Sequence, residues 1–299
     1  MGEYVKCEMV RLILKRRDPN SHKGDSGRVL VIGGSGRYVG APALAALASL
    51  RSGCDLATVA APEKTAWAIN TISPDIITVK LMGENISQES IDGIMDEVKA
   101  ADSLVVGPGL GNDIETIKAV GSLLRDIRLD FPSLPAVIDA DALKAVASAE
   151  GVVKGAPWVL TPHAGEFSIL TGRTVPQETD ERIKAVKHAS ADLGCVILLK
   201  GRVDIISSPR GEVRLNWTGN PGMTVGGTGD VLSGIIGSLL AQKVPPFQAA
   251  WGGAWICGRA GDMCMEEKGY EFIASDLLDK IPDVFREVRR KKRGKVRSG

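Results

Sequence analysis

The 299-residue chain predicts an α/β fold with a mostly parallel central sheet flanked by helices. Three observations carry this expectation. Short β-branched runs alternate with helix-like segments, the pattern of βαβ units joined by right-handed crossovers. Several runs are continuously apolar, as in Val29-Leu30-Val31-Ile32, which suits strands covered on both faces. The 35 glycines exceed the usual share of ~7% and gather at strand ends and helix starts, where open α/β sheets bind ligands.

Taken in order, strands are expected at Arg28–Ile32, Asp55–Ala60, Ile76–Lys80, Ser103–Val106, Ala136–Asp139, Trp158–Thr161 and Cys195–Lys200. Helices fill most gaps, at Ala41–Ser52, Ser87–Ala100, Asp113–Asp126, Ala142–Ala149 and Glu178–Leu193. Residues 203–217 differ. Two short strands, Asp204–Ser208 and Glu212–Asn216, flank Pro209-Arg210-Gly211 and read as a hairpin at the sheet edge. Helices alone follow, at Thr228–Gln242, Pro246–Glu267 and Ser275–Arg289. No linker or repeat interrupts the pattern, so one domain is expected.

Charge and cysteines narrow the class. The 37 Lys+Arg and 36 Asp+Glu leave +1, but the sum hides two parts. Residues 286–299 hold eight basic residues and one acid, Glu287, so an acidic body carries a basic tail. The tail has no interleaved aromatics and reads as a solvated terminus, with weak, salt-sensitive contact with an anionic surface as the alternative; no nucleic-acid partner is expected. Cys7, Cys54, Cys195, Cys257 and Cys264 include no C-x-x-C pair and are odd in number, which argues against a disulfide framework or a zinc site. No apolar run approaches the ~20 residues of a membrane span, and the basic N-terminus lacks the apolar stretch of a signal peptide. A soluble cytoplasmic protein is the expectation.

The densest chemical signal runs from Gly219 to Gly234, G-N-P-G-M-T-V-G-G-T-G-D-V-L-S-G. A glycine loop opens directly into an apolar helix, whose first-turn N–H groups and dipole attract phosphate. Asp230 sits in that first turn, placed to take a proton from an attacking hydroxyl; helix capping is the plain alternative. Glycines also follow the first strand (Gly33-Gly34-Ser35-Gly36), the fourth (Gly107-Pro108-Gly109-Leu110-Gly111) and Lys200 (Gly201). Together they point to one crevice for a large polar ligand. Gly34-x-Gly36-x-x-x-Gly40 is one residue too long for a dinucleotide fingerprint, and no P-loop motif occurs.

Asn220-Pro221-Gly222-Met223 followed by Gly226-Gly227-Thr228-Gly229-Asp230 resembles the signature of the ADP/ATP-dependent NAD(P)H-hydrate dehydratases, members of the ribokinase-like superfamily. Further stretches match that family in order: Lys23-Gly24-Asp25-Ser26-Gly27, Gly33-Gly34-Ser35, Gly40-Ala41-Pro42, Gly107 to Gly111, Asp139-Ala140-Asp141-Ala142-Leu143, Thr161 to Phe167, and Lys200-Gly201. Cys54, Asp55, Asp75 and Val225 depart from the usual residues, away from the presumed reacting groups.

The resemblance implies a ribokinase-like three-layer fold. Residues 1–20 would be an N-terminal extension, 21–288 the catalytic domain and 289–299 a basic tail. No epimerase domain would accompany it. It further implies ADP- or ATP-dependent dehydration of hydrated NADH and NADPH, with Mg2+ on the nucleotide. A superfamily kinase acting on a vitamin-like alcohol is the alternative. Asp230 would be the catalytic base, with the N–H groups of Gly227, Thr228 and Gly229 holding the phosphoryl group. Ala41, Gly109, Gly111 and His163 would contact the hydrate. Lys200, Gly201, Arg202, Val203 and Asp204 would contact the adenine nucleotide, and Glu166 would hold a water on Mg2+. Family resemblance also implies a homo-oligomer, a tetramer or larger.

Overall fold

The computed structural model describes residues 2–149 and 151–290. Its ten strands are β1 (Glu3–Tyr4), β2 (Arg28–Ile32), β3 (Leu56–Pro62), β4 (Ile77–Leu81), β5 (Ser103–Val106), β6 (Ala136–Ile138), β7 (Trp158–Leu160), β8 (Val196–Leu199), β9 (Asp204–Ser207) and β10 (Val213–Asn216). They form one sheet in the order β1-β10-β9-β8-β7-β6-β5-β2-β3-β4. Every neighbouring pair from β8 to β4 is parallel. The β9–β10 hairpin is antiparallel and continues the sheet beyond β8. It is not the outermost element, because β1 pairs in parallel with β10 and forms the edge.

Among the described residues the eleven α-helices are α1 (Cys7–Ile13), α2 (Gly40–Arg51), α3 (Glu63–Ile72), α4 (Ile91–Val98), α5 (Ile114–Asp130), α6 (Ala142–Ser148), α7 (Ala164–Thr171), α8 (Thr179–Leu193), α9 (Thr228–Ala241), α10 (Pro246–Lys268) and α11 (Ala274–Arg289). The layering follows from the pleat. On β2, Val29 and Val31 join a core with α2, α9, α10 and α11, while Leu30 and Ile32 join a second core with α4, α5 and α6. Successive side chains point to opposite faces, so a strand buried on both faces must be apolar throughout. A third cluster packs α8 against β8 and the hairpin.

The central helix of the first layer is α9. From Val231 to Ala241 all of its residues are buried. It lies against α2 so closely that a Cβ at Gly234 would stand 2.1 Å from the Ala45 carbonyl oxygen. Ser49 Oγ donates to the Gly234 carbonyl oxygen at 2.9 Å. Leu44 meets Gly227 near one end, and Ser52 meets Gln242 near the other, so the two helices run in the same direction. Their N-termini therefore open side by side.

The expected elements are present with shifts of a few residues, and four short ones join them: β1, α1, α3 and α7. The segment expected as one helix over 87–100 begins as a 3-10 turn, Gln88–Ser90, before α4. Residues 3–13 are tied into the fold, through β1 and through Arg11, which donates to the Val288 carbonyl oxygen. All five cysteines are free thiols, four of them buried. No helix among the described residues is long and apolar enough to cross a membrane. Of the basic tail, residues 291–299 lie outside the described residues.

Candidate active site

The carboxyl ends of the parallel strands converge with the start of α9. Gly33 and Gly34 follow β2, Gly107 follows β5, Asp139 follows β6, Thr161 follows β7 and Lys200 follows β8. Because β9 is antiparallel to β8, Asp204 at its start reaches this same end, as does Asn216 at the end of β10. The glycine loops interlock. Gly34 N–H donates to the Pro108 carbonyl oxygen at 2.8 Å, and Ser35 Oγ donates to the Gly109 carbonyl oxygen at 2.9 Å. Gly107 has φ +130, and a Cβ there would lie 1.8 Å from the Asp139 carbonyl oxygen. No other residue fits.

At α9, Gly227 is the N-cap residue with φ +98, and Thr228, Gly229 and Asp230 form the first turn. Thr228 Oγ1 donates to the carbonyl oxygens of Met223 and Val225, folding the loop over the helix start. The first-turn N–H groups have no acceptor inside the helix, which makes the end an anion site. Asp230 is half-buried. Burial and the neighbouring Asp139 charge push its carboxyl up to about 7, against the pull of Lys200.

Asp139 is 2% exposed. Burial alone would raise its pKa, but the Lys200 charge and hydrogen bonds from Ser233, Lys200 and Thr161 hold it below the usual carboxylate range. Lys200 Nζ lies 2.9 Å from Asp139 Oδ1 and 3.8 Å from Glu166 Oε2. Burial works to lower the Lys200 pKa, and the charges of Asp139 and Glu166 outweigh it and raise it. The ammonium is thus fully charged beside the α9 N-terminus. That pairing suits a phosphate.

His163 is the N-cap of α7. Its Nδ1 accepts from the N–H groups of Gly165 at 3.0 Å and Glu166 at 3.2 Å. Glu166 reciprocates by accepting from the His163 N–H at 2.8 Å, closing a capping box. With Nδ1 accepting, the proton of the neutral ring sits on Nε2, which faces Glu166 Oε1 at 3.4 Å. The sequence suggested a ligand role for His163 and did not reveal the cap.

The stretch Lys200 to Asp204 turns tightly. Asp204 Oδ1 accepts from Gly201 N–H at 3.0 Å and Oδ2 from Asn216 Nδ2 at 3.0 Å. Burial pushes its carboxyl up to about 6 despite these bonds. Val203 is half-buried, and Arg202 is exposed over the Trp217 ring at 4.5 Å. Ala41 is half-buried in the first turn of α2, and Gly111 donates its N–H to Asp141 Oδ2. Asp230, Lys200 and Glu166 are therefore gathered around one point, with Gly109 and Gly111 on the adjoining loop and Ala41 at the start of α2.

Asp139, Ser233 and Asp262 carried no sequence-based role. Asp262 on α10 accepts from Gly219 N–H and Asn220 Nδ2, both at 3.2 Å, and so anchors the glycine loop. The signal for Asp139 was present in the matched stretch Asp139 to Leu143. Nothing local marked Asp262.

Comparison with known proteins agrees with this geometry. The chain matches the NAD(P)H-hydrate dehydratase family over residues 29–283. It is 36% identical over 278 residues to the ADP-dependent (S)-NAD(P)H-hydrate dehydratase of Cenarchaeum symbiosum, covering 93% of this chain and 94% of that one. It is 47% identical over 270 residues to a bifunctional NAD(P)H-hydrate repair enzyme of Pyrobaculum aerophilum, covering 90% of this chain but 52% of the relative. It thus spans about half the length of the bifunctional relatives it matches. Among solved structures, the ADP/ATP-dependent NAD(P)H-hydrate dehydratase of Bacillus subtilis, co-crystallised with ATP and Mg2+, superposes with a TM-score of 0.80 at 28% identity, covering 96% of this chain and 99% of that one. A ribokinase-like superfamily protein of Enterococcus faecalis gives 0.83 at 26%, covering 96% of each chain. The fold is ribokinase-like, and the chain belongs to the NAD(P)H-hydrate dehydratase family.

Proposed function

We propose that this protein catalyses the ADP- or ATP-dependent dehydration of the hydrates of NADH and NADPH. The observation that carries the reading is a base, Asp230, set in the first turn of an anion-binding helix beside the charged Lys200. The C6 hydroxyl of the hydrate is a poor leaving group. Asp230 accepts or orients its proton while the oxygen takes a phosphoryl group from the nucleotide. Lys200 and the α9 N–H groups neutralise charge on the moving phosphoryl. The ring nitrogen lone pair then expels phosphate from C6, and loss of a C5 proton restores the dihydronicotinamide. With ADP the balance is hydrate plus ADP giving NADH, AMP and phosphate; the oxygen of the hydrate leaves in the phosphate.

Mg2+ fits the residues present. Among the described residues, no cluster of three or more His, Cys, Asp or Glu forms a cage. An ion carried on nucleotide phosphates keeps several waters and needs few protein oxygens. Glu166, half-buried and 3.8 Å from Lys200, offers a carboxylate to one such water. The ion would supply charge neutralisation on the phosphates. His163, Ala41, Gly109 and Gly111 would line the hydrate, and Gly201 to Asp204 the nucleotide. The residues working in turnover fall within 21–288. ADP is favoured by the name of the Cenarchaeum relative. A homo-oligomer in the cytoplasm completes the proposal.

The test is direct. Purified protein with ADP, Mg2+ and NADH hydrate should restore absorbance of the reduced nicotinamide with one phosphate released per NADH. Stable phosphorylation of a different alcohol, with no recovery of NADH, would show instead a kinase of the same fold.

A further inference from the structure

The turn Asp139-Ala140-Asp141 after β6 touches both halves of the site. On one side, Asp139 Oδ1 accepts from Lys200 Nζ at 2.9 Å, and Oδ2 accepts from Ser233 Oγ at 2.6 Å. Ser233 lies one helical turn beyond Asp230 on α9. A Cβ at Gly229 would stand 3.9 Å from Asp139 Oδ2 and 3.6 Å from Lys200 Nζ, so the carboxylate lies against the loop that binds phosphate. On the other side, Asp141 Oδ2 accepts from the Gly111 N–H at 3.1 Å, and Oδ1 pairs with Lys144 at 2.8 Å.

Two carboxylates separated by one residue reach different loops because the backbone between them is bent. Ala140 has φ +50, in the left-handed region that a residue with a Cβ occupies only under strain. The turn is held in place from beneath by Gly107, which approaches the Asp139 carbonyl as no other residue can. The Gly107–Gly111 loop is thus joined to the turn at both of its ends.

We propose that Asp139 and Asp141 are positioning residues of one rigid brace: Asp139 sets Lys200 and the first turns of α9, and Asp141 sets the Gly111 loop opposite. The brace fixes the distance between the nucleotide phosphate and the hydrate hydroxyl. An in-line transfer between two bound molecules depends on that distance, and small misplacements are costly in rate. The inference rests on the dehydratase reading.

Kinetics with ADP, Mg2+ and NADH hydrate separate the two arms, with ADP binding followed independently by calorimetry. Asp141→Asn should raise KM for the hydrate about tenfold and leave KM for ADP within about twofold. Ser233→Ala, which keeps the ion pair and removes only the link to α9, should lower kcat about tenfold at nearly constant KM for both substrates. Asp139→Asn should weaken ADP binding about tenfold and lower kcat as well. Should Asp139→Asn fail to fold, the other two variants still decide. The brace is overturned if Asp141→Asn and Ser233→Ala alter the same parameter, or if neither alters any. A wild-type protein that binds ADP but restores no NADH would sink the dehydratase reading instead. ADP affinity then judges the brace: a tenfold loss in Asp139→Asn but not in Asp141→Asn supports it, and equal affinities overturn it.

Discussion

Asp55 and Asp139 are both nearly buried carboxylates at strand ends, and they face opposite edges of the sheet. Asp55 precedes β3 at the N-terminal edge. Its Oδ2 accepts from the N–H groups of Gly24 and Ser26, both at 2.9 Å, and Oδ1 pairs with Arg17 at 2.7 Å. Burial would raise its pKa, but the Ser26 and Gly24 hydrogen bonds and the Arg17 charge lower it. Its charge is absorbed by a local loop and an exposed guanidinium. Asp139, at the carboxyl edge, shares its charge with Lys200, just after β8, and Ser233 on α9, and it adds to burial in pushing the Asp230 carboxyl upward. Ionised groups at one edge stabilise the fold, and at the other edge they hold a group at a protonation state suited to chemistry.

The largest break in this comparison is Asp230→Asn, which should lower kcat by roughly 10²–10⁴. In the unaltered enzyme kcat/KM for the hydrate should rise with pH through about 7, where Asp230 of the free protein ionises. A flat profile, or a variant of undiminished rate, would remove Asp230 from the proton transfer. The effect on stability has the opposite sign. A carboxyl whose folded pKa is raised costs stability once ionised, and the cost builds between about pH 4 and pH 7. Asp230→Asn should therefore be more stable at pH 8, by roughly 1–3 kcal/mol in urea unfolding.

Next in size is Lys200→Met. It leaves Asp139 buried without its cation and should cost about 3 kcal/mol, besides weakening ADP binding. Stability equal to wild type would show that the pair contributes nothing. Asp55→Asn should cost about 1–2 kcal/mol and leave kcat unchanged. Because the folded pKa of Asp55 is lowered, its contribution is present at neutral pH and fades as pH falls below about 4. A pH-independent difference between Asp55→Asn and wild type would contradict the assignment. Smallest of all, removal of residues 291–299 should leave kcat within about twofold, since electrostatic contact by a basic tail is screened at physiological salt.

The central strands were legible because they are apolar on both faces, and the helices because they fill the intervals between them. What escaped is short or non-local. Glu3–Tyr4 has too few residues to show a period, and its pairing with β10 joins positions about 210 apart in sequence. The α7 helix is capped by His163, a residue weighed as a ligand contact, and that reading obscured the cap. Pro62 and Glu63 do signal the start of α3, but Ala66 and Ile69 give it only a thin buried stripe. In the site, Asp230 and Lys200 stood out from their glycine neighbours. The partners of Asp139 lie 61 and 94 residues away, a proximity that no local pattern encodes.

The contact of α2 with α9 at Ala45 and Gly234 has one more consequence. Two helices in near backbone contact, one wholly buried beyond its first turn, have little freedom to loosen separately. Their amide protons should exchange with solvent as a single cooperative unit, slowly and in step. The proposed hydrate and phosphoryl contacts at their paired N-termini would then be gained and lost together, so that a partly opened molecule would hold neither reactant in place.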